Sequence, residues 1–313
     1  MPNILLVIFN ILTSGLPCCL LALGIFITFR ILDFADLTAE GSFLIGGSFA
    51  IALIRIGVNP FVATLVAMAG GGVCGYITSI FYTKLRIPKI LCGIITMTAA
   101  STFALLILGI TDPELAFINN VSLISEDETV YSLFYYGDPI YRPLIKTGIM
   151  IAFVIVVFII IYFFFGTEYG MAIRVTGINE KMARAQGIHT ERASIVALII
   201  SNALIGLGGA LYCQDQRSCN INISVGFLVI GLASILIGEA IFGRRSFKNN
   251  LISIALGAII YFTIVTVAIE LGLPSDLKKL LYAILIAIAL SLPLIKSGIK
   301  KLFKKRRDDK CLS

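Results

Sequence analysis

The chain has 313 residues, of which 58% are hydrophobic and 14% charged, with a mean hydropathy of +0.98. A soluble domain of that length needs about a quarter of its residues charged to cover its surface, so composition excludes a water-soluble globular fold and leaves one whose surface meets lipid. The formal charge of +7 does not point to nucleic acid. Eight of the 25 basic residues crowd into the last stretch (Lys296, Lys300, Lys301, Lys304, Lys305, Arg306, Arg307 and Lys310), and no soluble domain remains to carry a binding face.

Backbone groups in lipid must be satisfied within the spanning segment, which allows helices or a closed barrel. The apolar runs here are continuous, not alternating, so the expected fold is all-α: a polytopic membrane helical bundle of about nine spans, eight to ten. A helix needs about 20 apolar residues to cross the hydrocarbon core. Taken in chain order, the runs predict spans near Ile4–Phe29, Phe43–Gly57, Phe61–Phe81, Ile90–Ile110, Gly148–Gly166, Ala193–Tyr212, Gly226–Phe242, Leu251–Ile269 and Leu280–Leu294.

The first run has no Lys or Arg before Arg30 and is too long for the apolar core of a signal peptide, so it reads as a span. Between the first two spans lies a polar segment, Thr28 to Ser42. In one helix Asp33, Asp36 and Glu40 would share a face, concentrating like charge without partners. A turn or re-entrant stretch using Thr38, Gly41 and Ser42 is the expectation. Asn59-Pro60 breaks the second span from the third, as a plain hairpin or as an interrupted helix of the kind that lines transport paths. The run Gly70-Gly71-Gly72 fits close helix packing. Thr96, Thr98 and, further on, Asn202 are polar side chains at depth. With Asp33, Asp36, Thr38 and Glu40 they are the candidates for lining a path.

Residues 111–147 form the longest polar segment, with six acidic residues and interleaved tyrosines at 131, 135, 136 and 141. It reads as a solvated extracytoplasmic loop or a docking surface for a soluble partner. A second polar segment, residues 167–192, contains a helix start at Asn179, with Glu180 at the positive helix end, and a stop at Gly187. About two turns lie between, too short to be stable alone. Met182, Ala183 and Ala185 give this piece a small, smooth surface suited to a cleft; a mere connector is the alternative.

Cys213 and Cys219 share one short loop, either as a disulfide or as two small apolar residues. Glu239, a turn before the seventh span ends, is expected in a structural pairing with a loop arginine. Six of the 25 Lys and Arg residues fall on one side of the expected membrane and 19 on the tail's side, which places the C-terminus in the cytoplasm. Residues 1–295 then form the membrane domain, with residues 296–313 as a basic cytoplasmic tail that can touch anionic membrane lipid.

No catalytic set is visible. There is no phosphate-binding G-x-x-x-x-G-K-[ST] motif, one histidine (His189), and no Cys/His cluster with metal spacing. No enzyme activity, no cofactor and no metal are expected on this chain.

Several stretches carry a resemblance. Leu21–Phe43 resembles the opening of the branched-chain amino-acid class of ABC permeases, and looks closest to the branch linked with tryptophan and tyrosine uptake. Arg174–Ile188 resembles that family's cytoplasmic coupling loop. Ser201-Asn202, Gly208–Leu211 and Val229–Ala240 are also similar to it. The resemblance implies an importer's permease subunit for amino acids, aromatic or branched-chain, in the cytoplasmic (inner) membrane. ATP would be held by a separate ATP-binding subunit, substrate delivered by an extracytoplasmic binding protein, and the pathway completed by a second copy of the permease. Coupling to the ATPase would fall on Arg174, Gly177, Asn179, Glu180, Met182, Ala183, Arg184 and Gly187. Ala35 and Glu40 stand where many relatives carry a proline and an aspartate. A secondary carrier needing no ATPase is the alternative, disfavoured by the scarcity of midplane carboxylates; a non-transport membrane scaffold is the third.

Overall fold

The computed structural model describes residues 3–111, 119–124, 126–134, 142–243, 246–270 and the single positions 280, 284 and 287. Most of the expected span near Leu280–Leu294, the basic tail with Cys311, and part of the 111–147 segment lie outside the described residues.

Ten α-helices make up almost all of this structure: α1 (Asn3–Ile25), α2 (Thr38–Arg55), α3 (Pro60–Thr83), α4 (Lys89–Gly109), α5 (Arg142–Phe164), α6 (Glu168–Ile178), α7 (Glu180–Ala185), α8 (Thr190–Gln216), α9 (Phe227–Phe242) and α10 (Phe247–Glu270). Among the described residues, six helical stretches are long and apolar enough to cross a membrane: Ile11–Ile31, α3, α4, α5, α8 and Phe247–Ala268. The protein is therefore a multi-pass, all-α membrane protein. α9 is apolar but shorter, and α2 has 18 residues.

The helices sort by what they face. α1 and α8 are enclosed, with Cys18 through Leu23 and Gly206 through Leu211 almost wholly buried along their lengths. α4 and α5 instead expose Ile90, Leu91, Phe103, Ile155, Ile160 and Phe163. Apolar residues exposed over whole helices suit a lipid solvent, not water.

Close approach of the inner helices depends on missing side chains. A Cβ at Gly71 in α3 would stand 2.4 Å from the Asn202 carbonyl oxygen of α8, and one at Gly75 would stand 2.3 Å from that of Leu198. Helices in lipid gain their association from such backbone contact, since burial of apolar surface offers little there. Of the glycine triplet, Gly71 meets α8 and Gly70 meets the Phe49 ring, while Gly72 has only ordinary contacts at 3.5 Å or more.

The polar segment after α1 differs from the expectation. α1 continues through one π-helical turn, Phe26–Ile31, and the chain then breaks over residues 32–37. Thr38, Gly41 and Ser42, expected in a turn or re-entrant stretch, are helical: α2 starts at Thr38, five residues before the expected span. The physical reason is that Asp33 and Asp36 stay outside the helix, so the three acids never share a face. The Asp36 Oδ1 also accepts the Thr38 N–H at 2.9 Å.

A short ribbon was not foreseen. β1 (Asn120–Ser122) pairs antiparallel with β2 (Ser218–Asn220), aligning Val121 with Cys219. Further bonds tie the 111–147 segment to the end of α8. Tyr131 donates its hydroxyl to the Leu211 carbonyl at 3.0 Å, Gln214 accepts the Val130 N–H at 3.1 Å, and Lys146 pairs with Asp215. The described part of this segment is thus packed onto the bundle, with Val130 and Tyr131 buried. Cys213 and Cys219 are both free, buried thiols that sit against Gly47.

Overpacking a tight contact costs about 1–3 kcal/mol. Gly71→Val should lower stability by that amount, whereas Gly72→Ala should leave it within about 0.5 kcal/mol. Unfolding of the purified variants in detergent, followed by thermal or denaturant titration, checks the contrast.

Candidate functional site

The break at residues 32–37 brings polar groups into the bundle's interior. Buried backbone groups need hydrogen-bond partners. Leu32 N–H reaches back to the Ile27 carbonyl at 3.0 Å and Phe34 N–H to that of Thr28 at 2.9 Å. The Asp33 carbonyl accepts from Lys89 Nζ at 2.8 Å. Asp33 itself has φ 53°, the left-handed region that short polar residues tolerate.

Asp36 is 3% exposed and anchors a network. Its Oδ2 accepts from Asn202 Nδ2 at 2.8 Å, while Asn202 Oδ1 accepts from the Ser42 hydroxyl at 2.7 Å. Asn202 Nδ2 also donates to the Leu198 carbonyl at 3.0 Å, so both N–H groups and the oxygen of the amide have partners. A second string adjoins it: Thr38 and Thr78 hydroxyls lie 2.7 Å apart, and Thr78 donates to Thr96 at 2.9 Å. All these side chains are buried, and they come from the break, α2, α3, α4 and α8. Asn202 is twelve residues into the 27 of α8, about 18 Å along a helix at 1.5 Å per residue. The Asp36–Asn202 pair therefore sits near the middle of the bundle's depth.

Of the seven path candidates, the structure gathers Asp36, Thr38, Thr96 and Asn202. It does not gather the other three. Thr98 is exposed on α4 and bonds its own helix at Ile94 and Ile95. Asp33 lies at the exposed end of the break. Glu40 turns to another helix and accepts the Gly226 N–H at 3.0 Å, where α9 begins; a carboxylate suits that positive helix end. The sequence reading passed over Ser42 and Thr78 as network members. Neither has a local signal, since each matters only through a partner on another helix.

Glu239 pairs with Arg30 at 3.1 Å, joining the end of α9 to the π turn after α1. The partner is not the loop arginine that was expected: Arg30 lies within the helical stretch Ile11–Ile31.

The second polar segment is two helices, not one connector. Asn179 ends α6 and starts α7, its Oδ1 accepting the Met182 N–H at 3.1 Å. Gly187 stops α7 at φ +81°, with its N–H on the Arg184 carbonyl and the Ile188 N–H on that of Ala183, both at 3.0 Å. These are the paired bonds of a Schellman ending, which requires a residue free to take positive φ. Arg184 bonds Glu180 at 2.5 Å and Thr190 at 2.9 Å, tying the helix to the base of α8. Ala183 is buried, while Met182 and the flanking Ile178 are exposed, Ile178 by 83%.

Arg174 and Gly177 stand apart from that surface. The Arg174 guanidinium lies over the Phe247 ring at 4.0 Å and near Phe165 at 5.5 Å. Gly177 presses on the Ile31 carbonyl, where a Cβ has no room. Both hold α6 against the membrane helices. Among the described residues no group of three or more His, Cys, Asp or Glu side chains could hold a metal ion.

Removing Asn202 would strand a buried carboxylate oxygen and a hydroxyl, and an unsatisfied buried polar group costs about 1–3 kcal/mol, more for a charged one. Asn202→Leu should therefore destabilise by at least that amount, and Thr98→Val by less than about 0.5 kcal/mol. Detergent unfolding midpoints of the two variants check this.

Known proteins are similar to this sequence over most of its length. The model of a family described as branched-chain amino acid transport system / permease component matches residues 7–290. A tyrosine transport system permease protein of Clostridioides difficile is 32% identical over 294 residues, 94% of each chain. A probable branched-chain amino acid transport permease protein, LivH of Methanocaldococcus jannaschii, is 27% identical over 240 residues, covering 74% of this chain and 72% of that one. The galactofuranose transporter permease protein YtfT of Escherichia coli is 24% identical over 285 residues, covering 90% and 77%. No solved structure matches the chain.

Proposed function

This chain belongs to the permease-component family of branched-chain amino acid transport systems, the membrane-spanning subunits of ATP-driven importers, and from that premise we propose that α7 is its docking element for the ATPase and that its cargo is an amino acid. Membership implies two partners, an ATP-binding subunit and a substrate-binding protein. The chain is a transporter component and not an enzyme; ATP hydrolysis belongs to the separate subunit.

The observation that carries the docking reading is the form of α7. A six-residue helix does not persist in isolation, yet this one is closed at both ends by Asn179 and Gly187 and braced by Arg184 on Thr190. It presents Met182 and Ile178 outward. A rigid, exposed apolar tip suits a groove on a partner that opens and closes with nucleotide. Differential contact in those two states is what turns ATP binding into a shift of the spans. Residues 167–192 then lie in the cytoplasm, and the C-terminal tail with them, in the cytoplasmic membrane. Nine spans, counting the run Leu280–Leu294, agree with that placement, as does the 111–147 segment facing the substrate-binding protein.

Asp36, Thr38, Thr96 and Asn202, with Ser42 and Thr78, line the path in this reading. Their support is that a broken helix at mid-depth supplies polar groups where an amino acid crosses. The relative named for tyrosine favours an aromatic or branched-chain cargo. A second copy of the chain completes the pathway.

Coupling between sites typically amounts to 1–3 kcal/mol, roughly 5- to 150-fold. Gly187→Pro, which forbids positive φ, and Arg184→Glu, which sets two acids one turn apart, should each lower uptake per ATP hydrolysed by a factor in that range. Reconstituted vesicles containing the ATPase and the binding protein provide the measurement. Normal uptake per ATP in a stably inserted variant would refute docking through α7.

A further inference from the structure

α5 and α10 leave a groove between them on the outer surface of the bundle. It has a volume of about 430 Å³ and runs from Val154 to Phe163 on one wall and from Lys248 to Leu256 on the other. Its walls are almost wholly aliphatic and aromatic. The ten residues from Val154 to Phe163, nine steps of 1.5 Å, span about 13 Å, close to half of a hydrocarbon core about 30 Å thick. One leaflet's acyl chain has that length.

The groove has charge at one end only. Lys248 Nζ lies 5.1 Å from the centre of the Tyr162 ring, and among the described residues no carboxylate pairs with it. One ring away, Arg174 rests on Phe247, and its buried Nε has no hydrogen-bond partner among the described residues. Tyr162 stacks on Phe247, so the two cations share one aromatic shelf. Arg244 and Arg245 precede this shelf in the chain. Basic side chains at the interface, above an apolar slot one leaflet deep, match a molecule with an anionic head and a hydrocarbon tail.

We propose that the α5–α10 groove is a binding site for an anionic phospholipid, with Lys248 against the phosphate and the acyl chain along Val154–Phe163. The inference goes beyond transport itself: it requires only that the helices face lipid, and it stands or falls separately from the docking role of α7.

The chain has no tryptophan, so a single one placed in the groove reports lipid contact without background. Ile159, which is exposed, is replaced in the full chain by Ile159→Trp. Fluorescence quenching is then titrated in vesicles with brominated phosphatidylglycerol or brominated phosphatidylcholine. Phosphatidylglycerol should be preferred by about fivefold, the effect of one basic side chain against an anionic lipid. Adding Lys248→Gln should bring the two lipids to parity. Equal quenching by both lipids in the parent, or a preference that survives Lys248→Gln, would overturn the proposal. Loss of quenching by either lipid would also overturn it, because the groove would then be covered by a second copy. If Ile159→Trp inserts poorly, Ile155→Trp gives the same readout from an exposed position on the same wall.

Discussion

The amide of Asn202 holds together a bundle whose chain is broken in its interior. Between α1 and α2 the helix stops at residues 32–37, and a carboxylate, Asp36, is carried into the buried interior. Uncompensated, that group would be the most expensive feature of the structure. Asn202 donates to it while accepting from Ser42 and donating to its own helix, so one side chain from α8 satisfies groups on two other elements. Gly71 and Gly75 make this possible, because α8 reaches the required position only where α3 has no Cβ to obstruct it.

Two further junctions repeat the principle. At the start of α9, Gly226 takes positive φ and its N–H is met by Glu40 from α2. At the end of α9, Glu239 meets Arg30 beyond α1. Both ends of α9 thus meet a charged group from a distant part of the chain. Arg30 is exposed, so its pair with Glu239 gains little net stability, but it gives the nearly buried Glu239 carboxylate a partner. The same logic separates α6 from α7. Arg174 and Gly177 seat α6 on Phe247 and Ile31, and this leaves α7 to project with both its ends closed.

The division between the two faces of the molecule follows from the same constraints. α1 and α8 bury their apolar side chains inside the bundle, while α4 and α5 carry bulky apolar side chains on its surface. The groove between α5 and α10 belongs to that outer face, with Lys248 over the Tyr162 ring at one end.

Composition and long apolar runs determined by themselves that this is a helical membrane protein, since nothing else satisfies a backbone in lipid. Local chemistry also determined α7: Asn179 caps through its own side chain and Gly187 ends the helix through its own φ, so neither needs a distant partner. The family likeness was legible too, carried by runs such as Arg174–Ile188. What tertiary structure alone decided is who meets whom. Thr96 and Thr98 are two residues apart and equally polar, yet Thr96 is buried against Thr78 while Thr98 is exposed, because two residues turn about 200° around a helix. Ser42 and Thr78 joined the network through partners 160 and 40 residues away, a distance at which no local pattern carries information. The interior placement of Asp36 was hidden for the same reason: its environment is set by Asn202, and the sequence near Asp36 does not contain it.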